Sequence, residues 1–108
     1  MLFVTTQLGT PIYVAKDIQV MALRADAEKQ TATLGIQYGD GTQELVKFKE
    51  GDIITSKMLV ERLGEHKIKL DEVVSSRKLN LGLDFPIDVP INRWQNHWGL
   101  AANQQKVG

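Results

Sequence analysis

Cysteine is absent from this 108-residue sequence, which excludes disulfide bonds, thiol catalysis and zinc sites built on sulfur. Long hydrophobic runs are absent as well, since none approaches the roughly 20 residues that cross a membrane. Met1 to Gln7 also lack the basic start and the long apolar stretch of a signal peptide. These absences fit a reducing compartment and predict a cytoplasmic chain with no membrane partner.

An excess of charge of either sign is also lacking. Thirteen basic residues balance thirteen acidic residues, so the formal net charge is zero. A neutral chain is poorly suited to hold nucleic acid or an anionic membrane by bulk electrostatics. The length fits one domain, and 43% hydrophobic with 24% charged residues is typical of an ordinary globular protein.

Recognised catalytic and metal-binding motifs are missing from the sequence. The two histidines, His66 and His97, share no motif, and neither is spaced with a carboxylate as a known ligand set. The glycine–aspartate segments at 39–41 and 51–52 lack the residues of a phosphate or calcium loop, which predicts turns. We therefore expect no enzyme, no catalytic residue, no cofactor and no metal. An enzyme of unusual type would need a cleft that joins His66 or His97 to carboxylates.

Strict alternation of apolar and polar residues identifies one strand clearly. The alternating apolar residues are Ala32, Leu34, Ile36 and Tyr38. A period of two is expected of a strand with one buried face. A polar connector precedes this strand, and Asp-Gly, which favours tight hairpin turns, follows it. We therefore predict an antiparallel meander with strands at 18–26, 31–39 and 43–49.

A short helix is predicted after the meander. Thr55 or Ser56 can cap a helix whose apolar residues recur at helical spacing as far as Gly64, a natural stop. The prediction is a helix at 56–64, which is too short to be stable unless it packs on the sheet. The turn at 50–52 has two interpretations: a linker, or the point where a strand re-enters a small closed barrel.

Alternation returns after the helix. Apolar residues at every second position predict a hairpin with strands at 66–74 and 78–84. A helix over 70–79 is the alternative.

The last quarter of the sequence has a different character. Pro86 and Pro90 bias their preceding residues towards extended backbone and lack the donor that a central strand needs. This stretch is therefore predicted to be an edge strand or an extended arm. Asn92 is a candidate cap for a short helix that carries Trp94 and Trp98, and the small polar residues beyond it are predicted to be disordered.

These patterns predict a mainly β protein of the α+β class. Its elements are an antiparallel meander plus a hairpin, one or two short helices and an extended C-terminal arm. A small β-barrel is the alternative. Within one domain, the predicted organisation is a β-rich core at 1–84 and, at 85–108, the arm with its tryptophan-bearing helix and disordered tail.

The arm carries the leading functional hypothesis. Trp94 and Trp98 are four residues apart, so both indoles fall on one side of the predicted helix. They either close the core of their own domain or dock on another subunit, because tryptophan is enriched among interface anchors. The hypothesis is a non-enzymatic protein-interaction or structural module, a homo-oligomeric subunit of a larger assembly such as a phage particle or secretion apparatus. The predicted interaction residues are Phe85, Ile87, Val89, Ile91, Trp94 and Trp98.

A basic face carries the alternative hypothesis. Lys47, Lys49, Lys67 and Lys69 form one surface if the meander and the hairpin are neighbours, and a nearby aromatic would suit single-stranded nucleic acid. Interspersed acidic residues are more typical of a solvated face of mixed sign, so nucleic acid is the less favoured partner. The alternative function is a small regulatory protein that binds nucleic acid, or a nucleic-acid enzyme, through this face.

Overall fold

The computed structural model describes residues 1–92, whose strands form two antiparallel sheets. In chain order the elements are β1 (Leu2–Gln7), β2 (Pro11–Val14), β3 (Ile18–Asp26), β4 (Thr31–Gln37), β5 (Gln43–Lys49), β6 (Ile53–Ile54), α1 (Lys57–Leu63), β7 (Lys67–Ser75), β8 (Lys78–Asp84) and β9 (Ile91–Asn92). The smaller sheet has the order β1-β8-β7-β6, and the larger has the order β5-β4-β3-β2-β9. Buried side chains from both sheets form one hydrophobic core. The mainly β prediction is confirmed.

The predicted meander is confirmed as β3, β4 and β5. The alternating apolar residues of β4 are buried, and so is Tyr38 directly after the strand. The Tyr38 N–H donates to the Thr42 carbonyl at 2.9 Å, which closes the hairpin between β4 and β5. Gly41, at φ +91°, supplies the left-handed backbone that this turn needs.

The predicted hairpin and helix are also confirmed. β7 pairs with β8, so the alternative helix over 70–79 is wrong: side chains with a period of two bury one face of a strand, not one side of a helix. In α1 the Ser56 side chain accepts a hydrogen bond from the Leu59 N–H, and Gly64 ends the helix. Leu59 is fully buried. None of the helical structure in residues 1–92 is long and apolar enough to cross a membrane.

The chain passes from the larger sheet to the smaller one at residues 50–52. The Glu50 N–H donates to the Gln30 carbonyl at 2.8 Å in the larger sheet. The next N–H, that of Gly51, donates to Leu70 at 2.6 Å in the smaller sheet. Gly51 lies at φ +91°, a conformation that glycine adopts without strain. The turn is thus a point where the strand enters a second sheet, not a linker.

A similar corner joins β1 to β2. The Leu8 N–H donates to Arg77 at 3.0 Å, and the Gly9 N–H donates to Ala22 at 2.9 Å. The two corners link the sheets, yet the strands of the described residues stay in two separate sheets. The closed-barrel alternative is therefore wrong.

Residues 85–92 turn back along the domain. The Val89 N–H donates to Pro86 at 2.9 Å, and the Ala15 N–H donates to Pro90 at 2.8 Å. β9 then pairs with the end of β2, at the edge of the larger sheet. Pro86 therefore lies in the turn after β8, and Pro90 lies just before the edge strand β9, so their missing donors cost no ladder hydrogen bond. The predicted helix with Trp94 and Trp98, and the predicted disordered tail, lie outside the described residues.

Candidate interaction surface

The outward face of the larger sheet carries an apolar strip, which we define as Met21, Leu23 and Leu45 around Gly35. Met21, Gly35 and Leu45 are direct neighbours across β3, β4 and β5. Leu23 is an extra residue at a β-bulge, where the register shifts between its two neighbours. It lies over Gly35, because a Cβ built on that glycine would be 2.8 Å from Leu23 Cδ1. Leu45 is 67% exposed, so a large part of the strip faces water.

A row of glutamines, defined as Gln19, Gln37 and Gln43, borders the apolar strip. The three residues are paired with one another across β3, β4 and β5. On each strand the glutamine is two residues away from the position that belongs to the strip, so both sets lie on the same face. A shallow depression of about 120 Å³ lies between the glutamines and the strip. The side of the strip away from the glutamines carries charged residues, because Arg24 and Lys47 are the cross-strand neighbours of Thr33 there. The centre of this face is therefore apolar and amide-bearing, without charged side chains.

The smaller sheet has a different outward face. Met1 and Phe3 lie across Gly82, and both are about half exposed. Charged and hydrogen-bonded groups surround them. Lys69 is 3.6 Å from Asp71, the Thr5 hydroxyl donates to Asn80 at 2.7 Å, and the Asn80 amide donates to Glu72 at 3.1 Å. Such a border of mixed sign is typical of a surface that faces water.

The arm residues predicted to bind a partner lie mostly on their own domain. Phe85 stacks on His66 with ring centroids 5.1 Å apart. Val89 and Ile91 are partly buried against the core. Ile87 is fully exposed at the turn, and Trp94 and Trp98 lie outside the described residues.

The four lysines of the predicted basic face are on two different sheets. Lys47 and Lys49 flank the buried Phe48 on β5, and Lys67 and Lys69 flank the buried Ile68 on β7. Because Phe48 and Ile68 face the shared core, each lysine pair points outward from its own sheet. The structure does not bring the two pairs together into one surface.

His66 is the histidine that lies within residues 1–92, and backbone groups hydrogen-bond to both nitrogens of its ring. The Ser56 N–H donates to Nε2 at 3.1 Å. Nδ1 lies 3.1 Å from the Gly64 carbonyl. Since Nε2 accepts, the proton is on Nδ1, which donates to that carbonyl. His66 is 5% exposed and joins the two ends of α1. His97 lies outside the described residues.

Glu44 is linked through a hydroxyl to Ser56, whose backbone N–H contacts this histidine. Glu44 Oε1 accepts from the Ser56 hydroxyl at 2.7 Å and from the Tyr38 hydroxyl at 3.0 Å. Both ring nitrogens of His66 are already bonded, so Glu44 does not contact the histidine. The arrangement ties β4, β5 and α1 together.

Arg62, at the end of α1, contacts both the ring of Tyr38 and the carboxylate of Asp40. Its guanidinium carbon lies 4.4 Å from the ring centroid of Tyr38, and it pairs with Asp40 at 2.8 Å. The hydrogen bond from Arg62 holds the pKa of Asp40 well below its usual range. Burial raises the pKa of Tyr38 above its ordinary value. The helix end is therefore fastened to the β4–β5 turn by both cation–π and ionic contacts.

The apolar strip is the surface that the sequence predictions missed. Met21 and Leu23 belong to the continuous apolar run from Val20 to Leu23 within β3, and Leu45 precedes the inward Val46. Large apolar residues at outward positions of a meander were the available signal. Among residues 1–92 no group of three side chains could hold a metal ion. Comparison of the chain with protein-family models, with curated proteins and with solved structures finds no match.

Proposed function

We propose that this chain is a non-enzymatic protein-interaction module, with the apolar strip and the glutamine row as its binding surface. The observation that carries the proposal is the strip itself. The outward face of an antiparallel sheet is normally polar, because it faces water. Here Met21, Leu23 and Leu45 are adjacent on that face, and no element among residues 1–92 covers them. Contiguous exposed apolar side chains are typical of interaction sites.

The chemistry around the strip suits a protein partner. The centres of protein interfaces are depleted in charge, because a buried unpaired charge is costly. The centre of this face contains no charged residue. Glutamine amides both donate and accept hydrogen bonds, so Gln19, Gln37 and Gln43 can bond to the backbone of a partner. The surface thus combines apolar contact with polar groups that fix orientation.

Site-specific photo-cross-linking inside the cells in which the protein is naturally made tests this function. A photoreactive residue at Met21 is expected to give a cross-linked protein species. The same residue at Glu72, exposed on the smaller sheet, is the matched control and is expected to give none. Leu23→Lys should abolish the species from position 21, because it places a charge in the strip. Equal yields from the two positions, or no product at position 21, would contradict the proposal.

Nucleic-acid binding is a second candidate, favoured by one observation. Arg24, Lys47 and Lys49 lie on the same outward face as the strip, at its opposite end from the glutamines. A gel-shift assay at low salt with single-stranded DNA and RNA tests it. Binding would be weakened by Lys47→Ala and by added salt, because phosphate contacts release counterions. The absence of retardation at micromolar protein removes direct binding.

A further inference from the structure

β5 is the edge strand of the larger sheet, and part of its backbone faces outward. The Tyr38 N–H donates to Thr42, and the Glu50 N–H donates to Gln30, at the two ends of the β4–β5 pair. Hydrogen-bonded and non-hydrogen-bonded pairs alternate along an antiparallel ladder. The even-numbered residues of β5 therefore bond to β4. The odd-numbered residues direct both their N–H and C=O groups away from the sheet.

Three consecutive odd-numbered residues of β5 form a free edge. Gln43, Leu45 and Lys47 are exposed, and their outward backbone groups have no partner among residues 1–92. The outward backbone groups of Lys49, the next odd-numbered residue, already have hydrogen-bond partners. Its N–H donates to the Asp52 carboxylate at 3.0 Å, and its carbonyl accepts from the Asp52 N–H at 2.9 Å. The free edge is therefore centred on Leu45.

Among residues 1–92, the two-residue strand β9 forms the opposite edge of the larger sheet. β9 pairs with the end of β2, and Pro11 at the start of β2 has no N–H to offer. An unpaired edge is a template for another strand, and proteins usually shorten, bend or cover it. Within residues 1–92, the stretch from Gln43 to Lys47 is neither bent by a bulge nor paired on its outer side.

We propose that a second copy of this chain pairs with the free edge, β5 to β5, in antiparallel orientation about a two-fold axis at Leu45. The two larger sheets then form one continuous sheet. The inference rests on the proposed function, because it joins the apolar strips of two copies at Leu45. Such a contact is isologous and closes at two subunits.

The register follows from the positions of the free groups and the charges. With the axis at Leu45, that residue lies opposite its own counterpart, and Gln43 lies opposite Lys47 of the second copy. Every free group is then paired, in roughly six backbone hydrogen bonds. Moving the axis to Lys47 would place two ammonium groups opposite each other, which destabilises a strand pair. A lysine on an edge normally discourages pairing, but here it faces a neutral amide.

Sedimentation equilibrium of the full chain over a range of concentrations tests the pairing. The expected result is a dimer with twice the 12.1 kDa mass of the chain. Leu45→Lys places two charges at the axis and should weaken dimerisation at least about tenfold. Val74→Lys is the matched control, because Val74 is an exposed apolar residue on the smaller sheet, outside the apolar strip and away from β5, and should leave dimerisation unchanged. Equal weakening by both variants would overturn the proposal.

A charge exchange tests the register. Gln43→Lys should weaken dimerisation, since the new lysine faces Lys47 of the second copy. Adding Lys47→Glu to the same chain should restore it, because each copy then presents opposite charges across the axis. Failure of this rescue would exclude the register. Far-ultraviolet circular dichroism checks that every variant is folded.

The two proposals fail in distinguishable ways. A full-length chain that stays monomeric at every concentration overturns pairing with a second copy. A cross-link from position 21 to a different protein would then leave the binding surface in place and identify another occupant. A cross-link from a photoreactive residue at position 45 to another segment of the same chain would likewise overturn the second copy as the occupant of the free edge.

Discussion

Replacing Ser56 with alanine is expected to destabilise the domain far more than the loss of one oxygen suggests. Ser56 is 3% exposed. Its hydroxyl accepts from the Leu59 N–H at 3.2 Å and donates to Glu44 at 2.7 Å. Loss of a helix cap costs about 1 kcal/mol, and a buried polar group left without a partner costs about 1–3 kcal/mol. We expect the free energy of unfolding to fall by about 2–3 kcal/mol.

Urea unfolding followed by far-ultraviolet circular dichroism measures this loss. The midpoint should fall while the slope stays the same, because the surface exposed on unfolding does not change. In a thermal scan the loss corresponds to a melting temperature lower by roughly 10–20 °C for a domain of this size. Both measurements report on the described strands and on α1, whose first turn the hydroxyl caps.

Thr55→Ala is the matched control for this prediction. Thr55 is the exposed neighbour of Ser56, and its hydroxyl donates to the His66 carbonyl at 3.0 Å. Its removal should cost about 1 kcal/mol or less. Combining Ser56→Ala with Glu44→Gln should reveal coupling above about 0.5 kcal/mol, because the two groups share a hydrogen bond. Equal losses at Ser56 and Thr55, together with no coupling, would refute the reasoning.

Two further predictions concern Tyr38 and Glu50. Burial raises the pKa of Tyr38, so the folded state favours the neutral phenol. The resulting stability is complete below about pH 10, the unfolded value, and is lost as pH rises through the folded value. Urea unfolding across this range should show a smaller alkaline loss for Tyr38→Phe, and parallel losses would contradict the assignment. Glu50→Ala leaves the Val73 N–H without its acceptor at 2.8 Å. It should lower the free energy of unfolding by about 1–3 kcal/mol. The exposed control, Glu28→Ala, should stay within about 0.5 kcal/mol of the parent chain, and equal effects would contradict the prediction.

The sequence was sufficient to predict most elements of the described region. β4 and the β7–β8 hairpin alternate with a period of two, and this pattern is a direct consequence of one buried face. Ser56 and Gly64 marked the ends of α1, because capping depends on residue types within a few positions. Each of these signals depends only on residues close together in the sequence, so the elements can be predicted without knowledge of the rest of the fold.

The candidate surface could not be predicted in the same way. The lysine pairs on β5 and β7 looked like one basic face, and they separate because the chain changes sheets at Glu50 and Gly51. The apolar strip depends on three strands being neighbours and on the bulge that turns Leu23 outward over Gly35. Neither the bulge nor the corner has a pattern that distinguishes it from an ordinary strand or turn.

The sequence by itself determined that this is a mainly β domain with a meander, a hairpin and one capped helix in residues 1–92. Alternation, turn residues and caps act over a few residues, and burial of one face enforces them. Only the tertiary structure decided which strands share a sheet, where the two corners lie and which apolar residues remain outside. Those outcomes depend on hydrogen bonds between residues far apart in the chain, such as Gly51 with Leu70. They decided that Leu45 lies on the edge strand of the larger sheet rather than inside the core.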